Sequence, residues 1–244
     1  MSEQAHHDEF YGENADFFQS PLFQARHRRD AEIVKRLTPT NARVLSLGCG
    51  EGGLELDLAA DVQHILGIDL SVEAVELARR QAAQAGVDNL DYRQADVVDT
   101  ELPGESFDAV WGLAFLHHLP PSMVEPTLRR AHDWLRPGGR LVTIDPSNRR
   151  LVRHLARFVK DSYDEHHSPD ERELDPEEVI TAARAAGFSD VRIVWTDFAT
   201  GPMAWLRPTM PRWAARTVVA IDSAVVRLPV IQQYSSGYAV SAVA

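Results

Sequence analysis

Between residues 43 and 198, short apolar runs alternate with amphipathic stretches. The runs at 43–48, 64–69, 90–95, 107–113 and 140–145 have strand length. The stretches at 52–60, 71–86 and 122–135 repeat apolar positions at helical spacing. Ser71 is placed to cap the second helix, Glu73 and Glu76 suit its first turns, and Gly86 ends it. Pro137-Gly138-Gly139 stops the third. Pro176 opens a further helix that Gly187 closes, a strand at 190–198 follows, and SGYAVSAVA reads as a last strand. Such alternation predicts an α/β chain with a mainly parallel sheet covered by helices on both faces.

Three regions stand outside this rhythm. Residues 8–37 read as helical and carry Phe10, Tyr11, Phe17, Phe18, Leu22 and Phe23. Residues 146–175 are charge-dense, and their second half reads as a loop excursion. Residues 201–233 are apolar but are broken into short helices by Pro208, Pro211 and Pro229. The resulting division is an N-terminal helical lid (1–37), a core (38–200) with the 146–175 excursion, and a helical insertion with the final strand (201–244).

Composition narrows the classes. At 44% hydrophobic and 25% charged, the chain can bury a full core. A net charge of −11 disfavours non-specific binding to nucleic acid or to an anionic membrane. No run of 18 apolar residues spans a bilayer, and MSEQAHHDEF is not a signal peptide, so a cytoplasmic location is expected. The single cysteine, Cys49, excludes an internal disulfide and a cysteine metal cluster. His166 and His167 lie near Asp161, Asp164 and Glu165, but in no standard ligand spacing, so no metal is expected.

The chemistry concentrates in residues 44–53, VLSLGCGEGG, and in GIDLS at 67–71. A strand runs into a turn with Gly48, Gly50, Gly52 and Gly53, and a helix follows. Glycine lets a backbone approach a ligand closely, and N–H groups at the helix start face it. Asp69, at the tip of the next strand, is placed to accept hydrogen bonds from ribose hydroxyls. Gly48-x-Gly50-x-x-Gly53 also fits a dinucleotide fingerprint, which leaves a nicotinamide-dependent reductase as an alternative. Glu51 and Glu55, in and after the turn, repel a pyrophosphate and suit a cationic or zwitterionic ligand.

GCGEGG, GIDLS, Asp96 in RQADVVD, FDAVWGLAFLHHLP and LRPGGRLV, in this order, resemble the motifs of class I S-adenosylmethionine-dependent methyltransferases over residues 43–145. The resemblance implies a Rossmann-like, doubly wound, mostly parallel seven-stranded sheet with a helical cap and an antiparallel last strand. It implies S-adenosylmethionine as cofactor. Gly48, Cys49 and Gly50 would lie beside its methionine portion, and Leu70 would pack on the adenine. Asp96 would accept from the adenine amino group, with the Val97 N–H on a ring nitrogen. Gly112 and Leu113 would offer carbonyls to the methionine ammonium, and Tyr11 would close over that end. The family usually carries an acid where this chain has Ser46.

Methyl transfer from a sulfonium needs chiefly near-attack geometry, and a base only where the acceptor must lose a proton. Of His117 and His118 at the mouth of the site, His118 is the candidate base. The acceptor is expected to be an O, N or C atom of a small molecule, a hydrophobic one among the alternatives; nucleic acid is not expected. A non-catalytic partner subunit remains a competing function. Residues 201–233 carry Arg207, Arg212, Arg216 and Arg227 against Asp222 alone, with tryptophans among them. This pattern reads either as a packed cap or as a wall for a lipid-like acceptor met at a membrane surface. The oligomeric state has no signature in the chain.

Overall fold

The computed structural model describes residues 19–149, 172–205 and 209–244. Tyr11, the first part of the expected lid, His166, His167 and Arg207 lie outside them.

Ser20 caps α1 (Pro21–Leu37), accepting from the Phe23 N–H, with Pro21 in the first turn. The sequence reading ran one helical region through 8–37, whereas Ser20-Pro21 is a start signal in the middle of it. The chain then forms β1 (Arg43–Leu47), α2 (Gly53–Leu58), β2 (His64–Asp69), α3 (Val72–Ala85), β3 (Leu90–Gln94), β4 (Phe107–Leu113) and α4 (Pro121–Trp134). It continues as β5 (Leu135–Pro146), α5 (Pro176–Ala185), β6 (Ser189–Asp197), α6 (Thr200–Trp205), α7 (Arg212–Val225) and β7 (Gly237–Val243). Helix α4 ends at Trp134, before Pro137-Gly138-Gly139, and those three residues belong to β5. Leu135 already pairs with Phe107, and the Gly138 N–H donates to the Ala244 carbonyl.

One sheet runs in the order β3-β2-β1-β4-β5-β7-β6. β7 is antiparallel to both β5 and β6, and the other pairings are parallel. Alternate residues of the central strands therefore face opposite layers. Leu45, Val110 and Leu141 pack with Val124 and Leu128 of α4 and Val179 of α5. Val44, Ala109 and Val142 pack with Val34 of α1, Leu54 of α2 and Val75 of α3. This is the expected Rossmann-like, doubly wound arrangement. Strand order reverses between β1 and β4, so a crevice opens at their carboxyl ends.

A third cluster joins Leu22 and Ala25 of α1 to Ala204, and to Ala215 and Val219 of α7. Beside it lies a buried ionic joint. Asp197, at the end of β6, accepts from Arg26 at 3.1 Å, Arg29 at 3.4 Å, the Gly201 N–H at 3.1 Å and the Ser236 hydroxyl. Asp222 of α7 accepts from the N–H groups of Phe198 and Ala199, both at 2.9 Å. Burial alone would raise the Asp197 carboxyl, but Arg26 and Arg29 beside it hold it well below its usual range.

Candidate cofactor site

β1 delivers its last side chain at Leu47 and breaks into a turn with three left-handed glycines: Gly48 (φ 63°), Gly50 (φ 51°) and Gly52 (φ 80°). Space as well as φ selects glycine here. A Cβ on Gly48 would lie 2.5 Å from the Phe115 ring, and one on Gly52 2.5 Å from the Tyr92 hydroxyl.

Asp69 ties this turn to the end of β2. One carboxylate oxygen accepts from the Gly50 N–H and the other from the Ser71 N–H, each at 2.9 Å. The Cys49 N–H donates to the Ile68 carbonyl at 3.1 Å. Two bonds, from the Gly50 and Cys49 N–H groups, thus fix the turn against its neighbouring strand. A carboxylate oxygen has two lone-pair directions, so Asp69 retains capacity for two further donors.

Beneath the turn the structure corrects the reading of Glu55. It does not face a ligand from the first helical turn but is buried, with the Ser46 hydroxyl donating to one of its oxygens. Its other oxygen is buried without a hydrogen-bond partner among the described residues. Burial pushes the carboxyl up to about 7, against the Ser46 hydrogen bond and with a contribution from the Asp69 charge. The acid absent at position 46 is therefore supplied to the same spot from α2. Burial, with Glu55 and Asp69 nearby, also raises the Cys49 thiol. Glu51 is half-buried, and its carboxyl is raised by burial.

The remaining positions lie along the strand ends. Leu70 is half-buried, and its carbonyl accepts from the Gln94 side chain at 3.2 Å. Asp96 is exposed and folds one oxygen onto the Val98 N–H at 2.8 Å, while the Val97 side chain is in the core. Gly112 and Leu113 end β4, with Gly112 opposite Leu47 of β1. The Phe115 ring lies across both Gly48 and Gly112.

After β4 the chain turns at Ala114 (φ 52°) into a single 3₁₀ turn, Leu116–His118. His117 is buried and His118 half-buried, with ring centroids 4.0 Å apart. His117 meets a carboxylate. Asp145, at the end of β5, meets its Nδ1 at 3.1 Å and accepts from its backbone N–H at 3.2 Å. Local sequence could not reveal this pairing, because Asp145 lies on a different strand. Among the described residues no group of three or more His, Cys, Asp or Glu could hold a metal. No described helix is long and apolar enough to cross a membrane.

Comparison with known proteins agrees with this geometry. Residues 44–139 match the family described as Methyltransferase domain. A ubiquinone biosynthesis O-methyltransferase of Xanthomonas axonopodis pv. citri is 39% identical over 132 residues, 52% of this chain and 53% of that protein. A 27-O-demethylrifamycin SV methyltransferase of Amycolatopsis mediterranei is 34% identical over 147 residues, 57% of this chain and 53% of that one. The match spans about half the length of these curated relatives. Among solved structures, a SAM-dependent methyltransferase of Thermotoga maritima, described as a possible histamine N-methyltransferase, superposes with a TM-score of 0.69. It is 18% identical, with 98% of both chains covered, a likeness of fold.

Proposed function

We propose that this chain, in which residues 44–139 match a methyltransferase domain, transfers a methyl group from S-adenosylmethionine to an oxygen of a small, apolar molecule. The observation that carries this reading is the glycine turn bonded to Asp69, with acceptor capacity left for a ribose. Gly48, Cys49 and Gly50 flank the methionine portion, and the Gly112 and Leu113 carbonyls receive its ammonium. Leu70 packs on the adenine, while Asp96 and the Val97 N–H read its edge.

Oxygen is preferred over nitrogen or carbon because two relatives are named for O-methyl transfer. A hydroxyl acceptor must give up a proton. His118, the more exposed of the pair, takes it, and His117, fixed by Asp145, positions His118 from behind. The displacement itself is in line, driven by proximity and by a neutral thioether leaving group.

Titration calorimetry tests the cofactor site. Asp69→Ala should weaken S-adenosylhomocysteine binding by about 2–4 kcal/mol, because two charge-assisted bonds are lost. Unchanged affinity would overturn the assignment. Methyl-labelled S-adenosylmethionine, offered with hydroxylated aromatic acceptors of increasing apolar size, tests the transfer. With an acceptor found, His118→Ala should lower turnover by ~10²-fold while cofactor affinity is kept. Full activity in that variant would remove His118 from the chemistry.

A further inference from the structure

Helix α7 has two unlike faces. Ala215, Val219 and Asp222 turn inward against α1. The outward face carries Trp213, Thr217, Ala220, Ile221 and Ala224, and Leu228 follows just beyond the helix. These positions recur at intervals of three and four residues, so they form one stripe. Trp213 is 72% exposed, Ile221 60% and Leu228 50%, and Val230 beyond them is 75% exposed. A stripe of this kind costs hydration free energy for as long as it faces water.

The charge around the stripe has one sign. Arg212, Arg216 and Arg227 are exposed, and none has a hydrogen-bond or ion-pair partner among the described residues. The segment's acid, Asp222, is buried and taken up by the Phe198 and Ala199 N–H groups and the Thr200 hydroxyl. The exposed charged groups of α7 are therefore all cationic, in a chain whose net charge is −11. A general surface pattern would not leave arginines without acids in so acidic a protein.

A cleft adds specificity to this face. Gln19, Pro21, Gln24 and Arg28 of the α1 end meet Arg212 and Arg216 of α7. Arg28, Arg212 and Arg216 all line this cleft, and neither helix has an acid in its first turn. Pro211 caps α7 without a side-chain acceptor. Three arginines along one cleft match the chemistry of a phosphate group.

We propose that α7 docks this protein on an anionic phospholipid bilayer. The Trp213–Ile221–Leu228 stripe enters the interfacial layer, and Arg28, Arg212 and Arg216 grip a headgroup phosphate. An apolar face flanked by arginine is the composition that binds this interface. Charge complementarity selects the occupant, since a second copy of this chain would bring eleven negative charges but no phosphate for the cleft. The docking is independent of methyl transfer and holds for the protein with or without cofactor.

Vesicle flotation of the full chain is the test. It should float with vesicles of phosphatidylcholine and phosphatidylglycerol, not with phosphatidylcholine alone, and release as salt rises. Arg212→Ala with Arg216→Ala should weaken partitioning by about 30-fold, since two surface cations are lost. Trp213→Glu with Ile221→Glu should abolish flotation. All four positions are exposed, so unchanged thermal unfolding identifies a loss of docking rather than of folding. Failure of the wild-type chain to float at low salt would overturn the proposal, as would undiminished flotation of either variant. A dimer in light scattering that Trp213→Glu dissolves, without vesicle binding, would assign the face to self-association instead. Protection by inorganic phosphate against heat, again without vesicle binding, would reduce the cleft to an anion site.

Discussion

Glu55 under the glycine turn and Asp197 at the end of β6 are both buried carboxylates, yet their protons are held in opposite ways. Asp197 has two guanidinium groups, a hydroxyl and a backbone N–H around it, and is held ionised far into acid. Glu55 has one hydroxyl and no cation, and its carboxyl rises from 4.5 to about 7. Burial is common to both, so the partners decide. The joint at Asp197 is complete as it stands and fastens the cap helices to the sheet. The acid at Glu55 is half-supplied, and it lies buried beneath the glycine turn.

The largest effect should come from breaking the complete site. Asp197→Ala leaves Arg29 nearly buried among fewer acids and should cost about 3–5 kcal/mol in urea unfolding. A loss below 1 kcal/mol would mean that the joint is dispensable. Because the Asp197 carboxyl is depressed, its contribution is present above pH 3.8 and is lost as pH falls below that value.

Glu55 should show the opposite slope in a separate window. Below pH 4.5 its carboxyl is neutral whether folded or unfolded. Between 4.5 and about 7 the unfolded chain ionises first, so stability falls as pH rises and levels off above that point. The decline should reach about 3 kcal/mol at most. Urea midpoints at pH 5 and pH 8 should therefore differ more in the wild-type chain than in Glu55→Gln. Equal pH slopes in the two proteins would show that Glu55 is ionised at both values.

The smallest effect should be in binding. If a cofactor cation completes the Glu55 site, S-adenosylmethionine should gain affinity over Glu55→Gln as pH rises from 6 to 8. The gain is expected to be on the order of fivefold, about 1 kcal/mol. Calorimetry on both proteins at both pH values measures it, and a constant wild-type-to-variant ratio would separate Glu55 from the ligand.

The contrast also marks what the chain discloses before it folds. Strand and helix alternation, the glycine turn and Asp69 are written locally, in periods of two and 3.6 residues and in glycines that nothing else can replace. The doubly wound sheet follows from them. Ser20-Pro21 was equally local, and a reading that favoured aromatic spacing passed over it. Glu55 was visible as a residue but not as a buried one. Its place near the start of α2 is where helix dipoles attract surface acids, and only the small Ser46 on β1 makes room for it inside. Arg26, Arg29, Asp197 and Asp222 come from three distant segments, so no local pattern joins them. The Asp145 bond to His117 is hidden for the same reason.

β7 lies between β5 and β6 and is antiparallel to both. The strand that comes last in chain order among the seven is thus an interior strand of the sheet. Until Gly237–Val243 leaves the ribosome, β6 has no neighbour and β5 keeps an open edge. Closure of that side waits on contacts between residues far apart in the chain, which slows folding. It also leaves two unpaired backbone edges open to other nascent chains. Premature termination within the last strand should consequently produce an aggregating chain rather than a shortened enzyme, however intact its glycine turn.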